Sequence, residues 1–388
     1  MTALDNARIL HLFANYKWTG PADPAIRAAA HLRRLGLDVV FAQARYVHPA
    51  NTHDMARQLW SWRMPVLAGL QLRKHFHIQS LLGDVRRLRQ ILRRERFDLV
   101  HCHLPGDHLL ATLACRRLSR PPAVVRSLYD PTPPRRGLRE RFALARTAGV
   151  VAPTEEVAES VAQRFRVARD QVLVQEPVTE RPQLEGEDLR SRWGLGPEHR
   201  IVGITARIQP HRRFELLWDM AAELTRAVPN ARVVLLGRGS DEEVRDLVTR
   251  PVEQRGLQDK VVLPGYLREP DYSAALRSFD VFVFLVPGSD GTCRAVREAL
   301  AFGLPVVASP RGILPELLRP RRDGEEFGVV CDEVPAVMAE ALRSLLEDDD
   351  LREQFGAAAL RRARLDLDPE AAARSLAGFY ARLLEERR

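Results

Sequence analysis

Short runs of β-branched and apolar residues recur along the chain, each followed by a longer stretch whose apolar positions return every three or four residues. That alternation is the pattern of parallel α/β sheets, whose strands are covered on both faces by crossover helices. In the first half it predicts strands at Ala7–Phe13, Asp38–Ala44, Asp98–His103, Ala123–Tyr129 and Gly149–Pro153. In the second half it predicts them at Arg200–Ala206, Ala231–Gly237, Lys260–Gly265, Asp280–Val286, Pro305–Pro310 and Gly328–Cys331. Runs this apolar suit strands buried on both faces. Between the halves, Glu176–Arg200 is polar, contains Pro and Gly and lacks a strand pattern. It reads as a connection between domains, with a short helix near Leu189–Trp193. Beyond Val334 the pattern is helical to the end, closing on the apolar-striped Ala372–Leu384. The expected architecture is α/β, with two doubly wound Rossmann-like domains facing a central cleft. Their boundaries are residues 1–180, a linker at 181–199, residues 200–365, and a C-terminal helix at 366–388 able to cross back to the first domain. Ligands of such domains bind beyond the carboxyl ends of the strands.

Composition adds exclusions. A chain of 388 residues with 45% apolar and 28% charged residues has the content of two globular domains, not of a disordered, collagenous or disulfide-built protein. Cys102, Cys115, Cys293 and Cys331 are scattered and read as free thiols of a reducing compartment. No basic start with a long apolar run marks a signal peptide, and no uncharged apolar stretch nears the ~18 residues of a membrane span. A cytoplasmic protein is expected.

Charge matters by position. The net charge is +8, and Arg57–Phe97 alone holds ten basic residues against two acidic ones, so the remainder balances. Only Lys17, Lys74 and Lys260 are lysines. With no nucleic-acid motif, nucleic acid is not an expected partner. Trp60, Trp62 and Phe76 lie among the arginines in what reads as one helical region, a combination that suits anionic lipid headgroups and peripheral attachment to a membrane face. The plain alternative is a solvated arginine-rich helix face.

The sharpest candidate chemistry lies in Pro287–Gly312. A strand runs into a Pro-Gly-Ser-Asp-Gly turn, a helix opens near Thr292, and another strand follows. Backbone N–H groups at Thr292, Cys293 and Arg294 would offer an anion site. Asp290 and Glu298 offer acceptors for sugar hydroxyls; otherwise Asp290 is an N-cap and Glu298 a solvated helix residue. A second segment, Arg200–Met220, ends its strand at Arg207 and follows it with Arg212 and Arg213 before a helix. Two cations at such a turn neutralise a departing diphosphate; taken alone, Arg207 reads as a surface ion-pair residue. In the first half, Val100–Leu110 gathers His101, Cys102, His103, Asp107 and His108. Strand alternation sets Cys102 opposite the two histidines, so no metal site is expected.

A carboxylate, seven residues, then Glu-Ala-Leu-Ala-Phe-Gly-Leu-Pro-Val-Val-Ala resembles the signature of retaining glycosyltransferase family 4, which has the GT-B fold. That signature usually opens on Glu; here Asp290 stands in its position. The resemblance implies that Asp290 holds the donor sugar, that Gly291, Thr292, Cys293 and Arg294 lie at the donor phosphates, and that Glu298 holds the ribose. It implies that Arg207 and Arg212 meet the diphosphate, with Arg212 where the family has Lys and Arg213 where it has Gly. Arginine keeps the charge and changes the geometry. Gly265 and Tyr266 match the loop that grips the base, and Gly20 the loop that nears the donor phosphates. His103 matches a histidine at the reaction centre, while Trp18 and Arg126 fall on the acceptor side. Gly237 and Gly239 match a further family turn of low functional weight, and Thr154, like Arg126, matches a family position that lines the cleft, with scaffold the alternative for both.

The implied activity is retaining, metal-independent transfer from a nucleoside diphosphate sugar, with no other cofactor. The acceptor is a glycan or a lipid-linked molecule, in lipopolysaccharide or another polysaccharide pathway. The alternatives are a phosphorylase or epimerase on the same fold, and a catalytically silent nucleotide-sugar-binding protein.

Overall fold

The computed structural model describes residue 4 and residues 6–44, 55–180, 182–287, 292–322 and 324–387. The chain divides into two units: Met1–Val178 with Pro369–Arg388, and Thr179–Asp368.

The first unit holds a parallel sheet of β1 (Arg8–Phe13), β2 (Asp38–Gln43), β3 (Leu99–Cys102), β4 (Ala123–Ser127), β5 (Gly149–Ala152) and β6 (Val172–Val174), in the order 2-1-3-4-5-6. Its helices are α1 (Ala22–Arg34), α2 (Met55–Ser61), α3 (Ile78–Glu95), α4 (Pro105–Cys115), α5 (Leu138–Leu144) and α6 (Glu155–Phe165). Strand alternation sends Ile9, Phe13, Phe41 and Val125 into one apolar cluster, under α1 and the C-terminal helix. It sends Leu10, Leu12, Val100 and Cys102 into the other, under α3 and α4.

The second sheet contains β7 (Arg200–Thr205), β8 (Ala231–Leu236), β9 (Val261–Gly265), β10 (Val281–Phe284), β11 (Val306–Ala308) and β12 (Gly328–Val330), all parallel, in the order 12-11-10-7-8-9. Its helices are α7 (Phe214–Ala227), α8 (Asp241–Val244), α9 (Arg250–Gln254), α10 (Asp271–Arg277), α11 (Arg294–Ala301), α12 (Leu314–Leu317), α13 (Pro335–Glu347) and α14 (Asp349–Asp366). The last helix, α15 (Pro369–Glu385), belongs to the first unit and buries Leu376, Phe379, Tyr380 and Leu383 in its core.

All eleven expected strands are present, trimmed at their ends. β6 was not expected: it is as short as β11 and β12, and the polar residues Asp170, Gln171, Gln175 and Glu176 flank it on both sides. Three other expectations change. Most of the expected linker packs on the second sheet: Leu189 and Leu195 are buried in its core, and Arg190 pairs with Asp280 at 2.9 Å. The short helix there is a single 3₁₀ turn at Ser191–Trp193. The basic stretch is two helices, α2 and α3, because Pro65 and Gly69 interrupt it and Val66 bridges to Phe41 beside β2.

Each sheet has a point where its strand order reverses, between β1 and β3 in the first and between β7 and β10 in the second. Chains leaving two neighbouring strands there diverge to opposite faces and open a crevice at the carboxyl ends. The candidate residues concentrate at these two crevices.

Candidate active site

In the second unit β7 ends at Thr205 and Arg207 follows, exposed and with no ion-pair partner among the described residues. Gly237 and Gly239 let the loops after β7 and β8 lie against each other. A Cβ at Gly237 would fall 1.8 Å from the Ala206 carbonyl oxygen, and one at Gly239 2.8 Å from that of Ile208. Pro210–Arg212 forms a 3₁₀ turn, and Arg212 Nη1 donates to the Val286 carbonyl at 2.8 Å, tying it to the end of β10. Arg213, the N-cap of α7, has φ of 62° in the left-handed region and reaches Glu333 at 3.3 Å.

Asp290 and Gly291 lie outside the described residues. The helix after them begins at Arg294, two residues later than expected, because Cys293 adopts φ of 45° and serves as its N-cap. Thr292 and Cys293 are buried, and the Thr292 carbonyl accepts from Arg297 Nε at 2.9 Å. Glu298 stands about one turn along this helix from Arg294, its side chain 16% exposed. Arg294 Nε donates to Glu298 Oε1 at 2.7 Å, and the Tyr272 hydroxyl donates to Oε2 at 2.8 Å. Burial and the neighbouring carboxylate push the Tyr272 phenol well above its usual value, so it remains a donor. Sequence reasoning missed Tyr272, although it stands in the segment that contains Gly265 and Tyr266. Gly265 ends β9 with φ of 81° and accepts from the Gly237 amide at 3.0 Å. Tyr266 is half exposed, with the Arg238 guanidinium 5.1 Å from its ring centre.

The first unit gathers a buried polar ladder. His11 and His101 are register partners on β1 and β3, and His103 follows two residues on, so all three imidazoles share one face of the sheet. Cys102 points to the opposite face, into the other apolar cluster. His103 is 1% exposed, with its Nδ1 against the Tyr129 hydroxyl at 2.6 Å and its Nε2 against His11 Nδ1 at 2.9 Å. His101 contacts the Tyr380 hydroxyl through Nδ1 and the Ser127 hydroxyl at 2.7 Å through Nε2. Five of the six ring nitrogens are thus engaged; His11 Nε2 has no partner among the described residues.

Burial holds these rings neutral, with His11 pushed down to about 3 and His101 and His103 well below the usual imidazole value. The three offer nitrogens within 4.8 Å of one another, the donor set of a metal site. Yet five of the six ring nitrogens are already engaged in hydrogen bonds, and the His101 and His103 rings stack 4.5 Å apart at 21°. The arrangement is a hydrogen-bonded ladder. Its third histidine was not singled out from the sequence, where His11 lies between two leucines of a strand.

On the other side of this sheet Asp107 is fully buried at the start of α4. It accepts from the amides of Ala14 at 2.8 Å, His103 at 3.0 Å and Leu104 at 2.9 Å, and so joins the ends of β1 and β3. Burial lifts its carboxyl to about 7 against the pull of Arg126 and those amides. Arg126 is buried at the end of β4, 3.9 Å from Asp107, with Nε and Nη1 lacking hydrogen-bond partners among the described residues. Trp18 packs partly buried on the apolar core, and Gly20 occupies the turn leading into α1. Thr154 Oγ1 caps α6 by accepting from Val157 at 3.2 Å.

Beside this sheet's reversal point, α3, α4 and α5 enclose a pocket of about 210 Å³. Its lining mixes Arg73, Lys74 and Arg139 with Leu72, Leu81 and Leu109. Around it Phe76, Ile78, Leu82 and Leu138 are exposed, and Arg139 lies 3.8 Å over the Phe76 ring.

Comparison with known proteins identifies the chemistry these crevices belong to. Residues 186–362 match the glycosyl transferases group 1 and residues 18–177 match glycosyltransferase family 4. The chain is 27% identical over 288 residues to a phosphatidyl-myo-inositol mannosyltransferase of Mycobacterium leprae, covering 71% of this chain and 72% of that protein. It is 27% identical over 327 residues to an alpha-D-kanosaminyltransferase of Streptomyces kanamyceticus, covering 78% and 81%. The crystal structure of Anabaena HepE in complex with UDP superposes with a TM-score of 0.78 at 17% identity, over 96% of this chain and 98% of that one. At that identity the likeness speaks for the fold. The two family matches together span all of the second sheet and every strand of the first except β1, so this chain belongs to the family 4 glycosyltransferases, enzymes of the GT-B fold.

Proposed function

We propose that this enzyme transfers a sugar, with retention, from a nucleoside diphosphate sugar held by the second unit to a glycan or lipid-linked acceptor held by the first. The observation that carries the reading is the cluster at the β7/β10 reversal. Arg207 stands exposed there without an ion-pair partner among the described residues, and Arg212 is anchored to the end of β10. Arg207, a guanidinium left in water, transfers to a diphosphate without first breaking a protein ion pair, and together with Arg212 it offsets the charge that develops on the leaving group. In this reading Glu298 takes the ribose, Gly265 and Tyr266 border the base, and Gly291, Thr292, Cys293 and Arg294 meet the phosphates. Asp290 takes the sugar. Charge neutralisation by arginine makes a metal ion unnecessary, and the leaving phosphate accepts the acceptor's proton.

On the acceptor side, partly buried Trp18 lies near the first unit's strand ends, where His103 and Arg126 are buried. The pocket beside α3, whose apolar lining carries Arg73, Lys74 and Arg139 together with Asp84 and Glu140, suits an amphiphile with an anionic head, and a relative named for phosphatidyl-myo-inositol supports that choice. Among the described residues no helix is long and apolar enough to cross a membrane, so contact with lipid would be peripheral, through α3 and its flanks. A cell-surface glycan such as lipopolysaccharide is the setting this suggests.

The test is calorimetry and thermal shift with UDP, GDP, ADP, CMP and TDP, with and without Mg²⁺. One nucleoside diphosphate should bind equally well in both conditions, raising stability by about 2.7 kcal/mol at 100 times its Kd. Binding by none of them overturns the donor reading, and strict dependence on Mg²⁺ overturns metal independence.

A further inference from the structure

Glu298 has less freedom than a ribose-binding carboxylate on an open helix face would have. Its two oxygens are held from different elements, Oε1 by Arg294 Nε at 2.7 Å on its own helix and Oε2 by the Tyr272 hydroxyl at 2.8 Å on α10. The two restraints differ in kind. Arg294 is a long cation with 39% of its side chain exposed, one turn nearer the diphosphate side, and its bond to Glu298 competes with any anion that arrives there. Tyr272 brings no charge to exchange. Its phenol is held protonated by burial and by the carboxylate it faces, and its ring packs against the apolar core under α10 and α11.

The position of α10 gives this contact its consequence. The helix begins six residues after Gly265, so Tyr272 closes the segment that carries Tyr266 at its other end. The same segment that would border the base therefore sets the orientation of the carboxylate that would meet the sugar. A carboxylate has about four acceptor directions, and a neutral phenol fixes its plane while consuming only one of them. Once an arriving diphosphate draws Arg294 away, the directions left free suit two adjacent hydroxyl donors. The phenol alone then keeps the plane from turning.

We propose that Tyr272 is a positioning residue that orients the Glu298 carboxylate for the two vicinal hydroxyls of a ribose, so that it sets a preference for ribonucleoside over 2′-deoxyribonucleoside diphosphates. This rests on the reading that Glu298 meets the nucleotide's ribose. A binding site built to hydrogen-bond a hydroxyl rejects the analogue lacking it, because its acceptor is left unmatched.

The experiment measures Kd for UDP and 2′-deoxy-UDP, and for GDP and 2′-deoxy-GDP, by calorimetry on the full chain. The wild type, Tyr272→Phe and Glu298→Gln are compared, with thermal melts to show that each variant is folded. The wild type should favour the ribonucleotide about tenfold or more. Tyr272→Phe should weaken binding of the ribonucleotide about tenfold, leave the 2′-deoxy form nearly unchanged and so erase the preference. A purely structural role for Tyr272 would weaken both nucleotides alike and preserve the ratio. If Glu298→Gln binds both nucleotides as the wild type does, the ribose reading itself fails. If Glu298→Gln weakens ribonucleotide binding while Tyr272→Phe keeps the wild-type ratio, only the positioning role of Tyr272 fails.

Discussion

In the first unit the ionisable groups at the strand ends turn inward: His11, His101, His103, His108, Asp107 and Arg126 are all buried. In the second unit Arg207 and Arg213 stand at the rim and Tyr266 is half exposed, although Arg297 and Arg362 are buried among its apolar side chains. At their strand ends the two sheets thus manage polar chemistry differently. Groups left in water rearrange around a charged ligand at little desolvation cost. A buried hydrogen-bonded network is fixed by its neighbours, and any member removed leaves the others unsatisfied. The second unit is therefore the adaptable side of this enzyme and the first the prearranged side.

The comparison breaks most readily under acid. A histidine whose folded pKa lies below its unfolded value of about 6.5 takes up its proton on unfolding. Its contribution to stability is intact above pH 6.5 and is lost as the pH falls toward the folded value, about 3 for His11. His101, His103 and His108 are shifted in the same direction by burial. Together they should make the first unit lose stability as the pH falls from about 6.5 to about 5.5. Asp107, raised to about 7, works the other way and offsets part of that loss. The buried thiols of Cys102 and Cys293 report the two units separately. In urea at pH 5.5, a methanethiosulfonate reagent should label Cys102 at a lower denaturant concentration than at pH 7.5, while Cys293 moves little. Equal shifts for both thiols would end the distinction between the units.

Asp107→Ala should have the next largest effect. It removes the acceptor for three backbone amides and leaves the buried Arg126 without its nearest anion, a loss of about 3 kcal/mol. A urea midpoint unchanged from wild type would show that the first unit's polar interior contributes little. At the second unit's rim, Arg207→Ala should leave the urea midpoint within about 0.5 kcal/mol of wild type, because the side chain is exposed. Turnover should fall more than tenfold, about 1.4 kcal/mol of barrier. Wild-type turnover would remove Arg207 from the diphosphate.

The same contrast explains what the sequence made legible. The strands were readable because parallel strands buried on both faces are continuous apolar runs, and only β6 was missed, a Val-Leu-Val run hemmed in by polar residues on both sides. In the second unit Arg207, Arg212 and Glu298 could be picked out because each falls in a contiguous segment that carries its own turn and helix start. The first unit's ladder is assembled across the chain. His11 meets His103 from 92 residues away, and Tyr380 meets His101 from 279 residues away on a helix that follows the whole second unit. Register between β1 and β3 decides those meetings, and no local pattern announces it. Tyr272 was missed for a related reason. A tyrosine in the first turn of a short helix reads as packing until the carboxylate opposite it, 26 residues on, is located.

The smallest effect sharpens the comparison at a single backbone position. Arg213 holds φ of 62° at the N-cap of α7, where the family resemblance puts glycine. A left-handed conformation costs an L-residue about 1–2 kcal/mol, and glycine returns about 0.5–1 kcal/mol of that through its greater freedom when unfolded. Replacement by glycine also removes the ion pair to Glu333, worth a few tenths because the arginine side chain is 44% exposed. Arg213→Gly should therefore raise stability by about 0.5 kcal/mol, while Arg213→Ala, which keeps the strain and loses the pair, should lower it slightly. The difference between the two variants isolates the backbone strain from the charge. A glycine variant less stable than the alanine one would show that α7's first turn is not strained in the folded protein, and that the charge on Arg213 is what its rim position serves.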